Sequence, residues 1–136
     1  MKKLHVDAVI PTKANALDAG WDLYSTQEAT LPPLQRSLIS TDIAMLIPKG
    51  FVGLIWDRSG LSSKSGIHRF AGVIDAGYIG EIKVCLYNSS DGDKHINKGD
   101  RVAQLLIQEI PKCELVEVNS LLESDRGEKG FGSSGK

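Results

Sequence analysis

The chain has 136 residues, with 16 Lys and Arg against 17 Asp and Glu and a formal net charge of −1. That length builds one domain around a single core. So balanced a charge offers no basic field to hold a nucleic acid polymer, and no apolar run approaches the length of a membrane span. The two cysteines, Cys85 and Cys113, lie in apolar, strand-like runs. They read as reduced core residues of a cytosolic protein, not as a disulfide framework. His5, His68 and His95 are far apart and form no Cys/His cluster, which argues against structural zinc and leaves carboxylate-held Mg²⁺ open. The opening MKKLHVDAVI is broken by Asp7 and followed by no cleavage site, so it does not read as a signal peptide.

In chain order, Leu4, Val6, Ala8 and Ile10 alternate with polar neighbours and predict a strand that ends at Pro11. A polar, Ala-rich stretch leads to Ala19–Ser25, AGWDLYS. Short apolar runs follow at Ala29–Leu31, Ser37–Ile39 and Ile43–Ile47, punctuated by Pro32, Pro33 and Pro48. Phe51–Trp56 is another such run and ends in Asp57-Arg58-Ser59-Gly60. The small, polar stretch Ser59–Ser65 is suited to one helical turn.

Strands are expected over residues 67–74, 81–88 and 101–110, with Asp91-Gly92-Asp93 as a turn. In the second, Ile82, Val84 and Leu86 share one face while Glu81, Lys83 and Cys85 share the other. Leu115–Ser124 fits either a strand or a short helix. Many short strands with at most one short helix predict an all-β sandwich or barrel. Residues 1–123 read as one β domain, and residues 124–136 as a Gly/Ser-rich tail that cannot bury enough surface to order itself.

Chemistry concentrates in a few places. Gly72–Val84, GVIDAGYIGEIKV, reads as a strand, a bend and a strand, with Asp75 and Tyr78 at the bend and glycines at 72, 77 and 80. Arg58-Ser59-Gly60 brings a guanidinium fork, a hydroxyl and an accessible backbone N–H to a strand end, a set suited to phosphate oxygens. Gln104 lies in the strand DRVAQLLI; its amide is either a satisfied core group or points into a polar cavity. The tail GFGSSGK fits most of a P-loop pattern, but no following helix and no βαβ unit support that reading. The alternatives for the tail are a disordered terminus or an arm that folds over a ligand. In the second, Phe131 would stack on a flat ring while Arg126, Gly132, Ser133 and Ser134 gather around phosphates.

Taken together, AGWDLYS, DRSGLSS, GVIDAGYIGEIKV, GDRVAQLLI and RGEKGFGSSG stand in the order of the five motifs of the trimeric dUTP pyrophosphatase (dUTPase) family, which the chain resembles along nearly its whole length. The resemblance implies a jelly-roll homotrimer with Mg²⁺ as cofactor and active sites shared among subunits. It would hydrolyse dUTP to dUMP and pyrophosphate, keeping uracil out of DNA and supplying dUMP for thymidylate synthesis. It also implies roles by position. Asp75 matches the catalytic carboxylate. Ala71, Gly72, Val73 and Ile74 fall where the base is bound, Tyr78 under the deoxyribose, and Lys83 where the base site closes. Arg58, Ser59, Gly60 and Gln104 match phosphate contacts, and Asp22 the acid that reaches Mg²⁺ through water. Arg126 matches a γ-phosphate contact, Phe131 the aromatic that covers uracil, and Gly132 and Ser133 its neighbours in the arm.

Two positions depart from the family pattern: Arg69, near where an Asn is frequent, and Lys129, where Gly commonly precedes Gly-Phe. The first implies that uracil is read by main chain alone. A dCTP deaminase of the same fold would need a side chain to activate water at the base, and Ala71-Gly72 offers none.

Overall fold

A computed structural model describes residues 1–130. Eleven strands fall in chain order: β1 Lys2–Lys3, β2 Trp21–Tyr24, β3 Ala29–Leu31, β4 Arg36–Ile39, β5 Ile43–Ala44 and β6 Phe51–Trp56, then β7 Ile67–Phe70, β8 Val73–Ile74, β9 Val84–Asn88, β10 Lys94–Ile96 and β11 Arg101–Glu109. The one helical element among the described residues is a π-type turn, Leu61–Ser65. All pairings are antiparallel. The largest sheet runs β2-β11-β6-β8, a second runs β4-β9-β7, and β10-β3 and β1-β5 form two-stranded ribbons. The protein is therefore all-β and jelly-roll-like, its described strands forming open sheets rather than a closed barrel.

One core joins these sheets. Leu23, Ile55, Ala103 and Leu105 of the larger sheet pack with Ile39, Ile67, Val84 and Leu86 of the smaller, and with Leu31 and Ile96 of the β10-β3 ribbon. β9 shows why the pattern was readable: Val84, Leu86 and Asn88 are buried while Cys85 and Tyr87 are only half-buried, the period of two expected when one strand face meets a core. Asn88 tolerates burial because every polar atom is used. Its Nδ2 donates to the Leu31 and Gly92 carbonyls at 2.8 and 2.7 Å, and its Oδ1 accepts from Ser90 N and Oγ at 2.9 and 2.6 Å.

Four expectations need correction. The N-terminal alternation does not make a strand over residues 4–10: β1 covers only Lys2–Lys3, and the chain then turns, with Ala8 N donating to His5 O at 3.2 Å. Only Ala8 of the alternating set is buried; Leu4, Val6 and Ile10 are exposed. Leu115–Ser124 is neither strand nor helix, and Leu115, Val116, Val118, Leu121 and Leu122 are all exposed. Cys113 lies exposed beyond the end of β11 rather than in the core. Finally, the expected strand over 67–74 is broken at Ala71-Gly72, where φ is +60° and +113°.

The break changes the meaning of the Asp75 bend. β8 pairs with β6 in the larger sheet, whereas β9 pairs with β4 and β7 in the smaller one. The two arms of the bend do not pair with each other; they cross from one sheet to the other. Gly72 serves the crossing just before it, from β7 in the smaller sheet to β8 in the larger: its φ is costly for a side-chain-bearing residue, and a Cβ there would lie 3.0 Å from Ile55 O.

Candidate active site

The residues singled out in the sequence gather into two clefts. The first, about 340 Å³, is lined by Leu38, Val73, Ile74, Asp75, Tyr78, Glu81 and Lys83. β8 delivers Val73 and Ile74, and a turn closed by Tyr78 N donating to Asp75 O at 3.0 Å presents the carboxylate and the phenol together. The Tyr78 hydroxyl donates to Glu81 O at 2.7 Å, so its ring is fixed at the far end as well as at Cα. Gly80 is needed for this arrangement, since a Cβ there would stand 2.6 Å from the Tyr78 hydroxyl.

Glu81 anchors the same wall. Its Oε1 accepts from Thr41 N and Asp42 N at 3.2 and 3.0 Å, and its Oε2 lies 3.2 Å from Lys83 Nζ. Asp75 is exposed, so its carboxylate is open to solvent. Ala71 and Gly72 do not line this cleft. Their carbonyls are engaged by Arg69 Nη1 and by Ile55 N respectively, which fixes the peptides behind Val73.

The second cleft, about 310 Å³, is lined by Ala14, Asp18, Ala19, Gly20, Asp22, Arg58, Ser59, Gly60, Arg101 and Gln104. β2, β11 and the segment leaving β6 converge here, because β11 pairs with both neighbours and sets Gln104 opposite Asp22 and Trp56. Asp22 holds two arginines, Arg58 Nε on Oδ1 at 2.9 Å and Arg101 Nη1 on Oδ2 at 3.1 Å. The Asp22 side chain is only 15% exposed, so the pair orients Arg58 instead of leaving it to sample solvent. Gly60 has an ordinary helical backbone (φ −66°), and nothing lies within 4 Å of a Cβ built on it. Neither strain nor packing demands glycine there, and its bare backbone faces open space.

Gln104 settles between its two readings: its Nε2 donates to Asp57 O at 2.8 Å, and it lines the cleft half-buried. Gly20 makes room for it, since a Cβ at that position would come 2.7 Å from Gln104 Oε1.

Arg101 was missed in the sequence. Its signal was its place at the start of β11, three residues before Gln104, where a strand entry beside a cleft can project a cation. Arg126 is exposed and lines neither of these two clefts, its Nε donating to Lys129 O at 2.9 Å. Phe131, Gly132 and Ser133 lie outside the described residues.

Among the described residues no group of three or more His, Cys, Asp or Glu side chains is placed to cage a metal. Mg²⁺ does not need one, since it keeps several waters and is commonly held by one or two carboxylates together with substrate phosphates. Two acids, Asp18 and Asp22, line the cleft beside the arginines, a number that fits that mode and does not fit a dedicated all-protein site.

The fold and the clefts define an all-β protein with one cleft edged by glycines and holding paired arginines and aspartates, and another holding a tyrosine and a carboxylate. Comparison with known proteins makes this specific. The dUTPase family model matches residues 7–135. The deoxyuridine 5′-triphosphate nucleotidohydrolase of Candida albicans is 49% identical over 129 residues, covering 93% of this chain and 81% of that protein. The Arabidopsis thaliana enzyme of the same name is 46% identical over 135 residues, covering 99% and 81%. Among solved structures, the Staphylococcus bacteriophage 80alpha dUTPase with dUPNHPP superposes with a TM-score of 0.93 at 37% identity, covering 99% of this chain and 96% of that one. A variant dUTPase from phage phi11 of S. aureus, described as coordinating a structural Mg(II) ion, gives a TM-score of 0.82 at 34% identity over 88% and 95%. The chain belongs to the dUTPase family.

Proposed function

We propose a residue-level account of how this chain carries out dUTP hydrolysis to dUMP and pyrophosphate, the activity of its family. Val73 and Ile74 form the wall against which uracil lies, read by main chain, and the Tyr78 ring packs under the deoxyribose and leaves no space for a 2′-hydroxyl. Arg58, Ser59, the Gly60 N–H and Gln104 grip the phosphate oxygens, with Arg101 adding a second cation. Asp75 orients a water and takes its proton as the oxygen attacks the α-phosphorus. The bond from that phosphorus to the oxygen bridging to the β-phosphate breaks, and pyrophosphate departs. Asp22 would hold Mg²⁺ through water, and the ion would supply charge neutralisation to the triphosphate when bound. Arg126, Phe131, Gly132 and Ser133 belong to an arm of residues 124–136 that closes over base and phosphates and excludes water.

The observation that supports this reading best is that the two clefts share no lining residue. The base-and-sugar set and the phosphate set of one chain serve different sites, and each complete site joins the first cleft of one subunit to the second cleft of another. A homotrimer satisfies this, with the arm drawn from the third subunit. The exposed apolar side chains of Leu115, Val116, Val118, Leu121 and Leu122 supply surface for such an association. No helix among the described residues is long and apolar enough to cross a membrane; by its family resemblance the enzyme acts in the cytoplasm, or in the host-cell cytoplasm or nucleus if a virus encodes it.

Pyrophosphate release from a panel of dNTPs and UTP, with and without Mg²⁺, tests the chemistry, and light scattering tests the assembly. The expected result is Mg²⁺-stimulated turnover of dUTP alone by a trimer. Equal turnover of dTTP or UTP, or a fully active monomer, would overturn the account.

A further inference from the structure

The loop that carries Arg58, Ser59 and Gly60 is bracketed by Asp57 on one side and Ser62 on the other, and one side chain from outside the loop meets both. His68, on β7, places Nδ1 3.1 Å from Ser62 Oγ and 3.4 Å from Asp57 Oδ2. Its other nitrogen, Nε2, lies 3.2 Å from Ser89 Oγ. Ser89 Oγ donates its proton to Gly66 O at 2.9 Å, so it accepts from Nε2–H, which ties the ring to the segment following β9. The near end of the loop is held to the same strand, β7, by the Asp57 side chain, whose Oδ1 accepts from Arg69 N at 2.7 Å, and within the loop Ser62 N donates to Arg58 O at 3.0 Å. The ring is therefore anchored in the smaller sheet by Nε2 and grips the loop, whose strand β6 belongs to the larger sheet, by Nδ1.

We propose that His68 is a positioning residue for triphosphate binding: by accepting from Ser62 Oγ–H at Nδ1 it ties the far end of the Arg58–Gly60 loop to β7, whose Arg69 N already holds Asp57 at the near end, and so keeps the loop's donors in register for phosphate oxygens. His68 itself lines neither of the two clefts and touches no substrate. Without His68 the loop keeps its strand anchor through β6, the Asp57–Arg69 N bond and its internal Ser62 N–Arg58 O bond, but its far end loses the tie to β7, so Arg58 and the Gly60 N–H are held less firmly toward a common phosphate. The consequence is specific to phosphates. Recognition of base and sugar, which belongs to the Asp75–Lys83 cleft, is left alone.

The proposal rests on the assignment of Arg58, Ser59 and Gly60 to phosphates, and the experiment keeps the two apart. Binding of dUpNHpp and of deoxyuridine is measured by calorimetry for wild type, His68→Ala, His68→Asn, His68→Gln and Arg58→Ala, with melting temperatures alongside. Asn places its amide oxygen, an acceptor, near the position of Nδ1, and Gln places an amide donor near that of Nε2. His68→Ala is expected to weaken dUpNHpp by about three- to tenfold, the loss of one net hydrogen bond, with deoxyuridine affinity unchanged. His68→Asn is expected to restore most of the loss and His68→Gln little of it. If His68→Ala binds dUpNHpp as wild type does, or weakens both ligands equally, or is rescued by Gln and not by Asn, the positioning role is wrong. If Arg58→Ala also leaves dUpNHpp binding intact, the phosphate assignment itself has failed.

Discussion

Mixing two inactive variants offers the sharpest check on how the site is put together. Asp75→Asn removes the base from the first cleft and Arg58→Ala removes the phosphate grip from the second; no residue lines both clefts. Suppose a site takes Asp75 from one subunit and Arg58 from the next around a ring. After the two variants are unfolded and refolded together in equal amounts, about three-quarters of the trimers contain both kinds of chain, and each of those has one junction where both intact residues meet, so about a quarter of all sites recover. Each variant alone recovers none. The assay is pyrophosphate release per mole of chain, comparing the co-refolded mixture with the same proteins refolded apart and then combined. Activity near a quarter of wild type supports shared sites. Activity no greater than the sum of the separate samples would show that Asp75 and Arg58 of the same chain work together, and the two-cleft reasoning would fall.

Other outcomes follow from single positions. Asp75→Asn keeps the size of the side chain but cannot accept a proton, so kcat should fall by about 10²–10⁴ while calorimetry with dUpNHpp shows little change in affinity. Tyr78→Ala removes the ring expected under the sugar and should narrow the gap in kcat/KM between dUTP and UTP; an unchanged ratio means that another group reads the 2′ position. Deleting residues 124–136 should leave the melting temperature nearly unchanged and abolish most turnover, whereas full activity would remove the arm from the mechanism. Gly20→Ala drives a methyl into Gln104, 2.7 Å from its Oε1, and should raise KM for dUTP more than it lowers kcat; steady-state kinetics at saturating Mg²⁺ distinguishes the two.

Legibility in the sequence tracked how local the physics was. Ile82, Val84 and Leu86 could be read as one buried face because a strand pressed on a core must repeat every two residues, and all three are buried. The same pattern at Leu4, Val6, Ala8 and Ile10 misled, because alternation specifies a strand only where a partner covers one face. Here the segment turns on itself, with Asp7 paired to Lys98 at 2.6 Å. That ion pair also holds the Asp7 carboxyl below the usual range, chiefly by the Lys98 hydrogen bond.

The residues of the two clefts could be named because their side chains carry the chemistry. That they form two clefts could not, because it depends on β8 and β9 belonging to different sheets, a long-range choice that no neighbouring residue encodes. Arg101 and His68 were passed over for a related reason. Neither is unusual for its type, and each acquires its role from partners far along the chain, Asp22 for one and Asp57, Ser62 and Ser89 for the other.

β6 has a mechanical consequence for a shared-site trimer. Its end leads into the Arg58 loop, while along its length Gly53 and Leu54 pair with Ile74 and Val73, and Ile55 N donates to Gly72 O at 2.8 Å. In the proposed trimer one six-residue strand would thus join the Arg58 loop of one site to the Val73–Ile74 wall of another, as a tie rod between neighbouring sites. Load placed on the Arg58 loop would be carried along a strand that is itself fixed in the core through Ile55. Gly53 sits at the middle of the rod, where a Cβ would press on Ile74 Cβ at 3.1 Å. A side chain there would push on Ile74 and so shift the Val73–Ile74 wall relative to the Arg58 loop at the other end of the same strand.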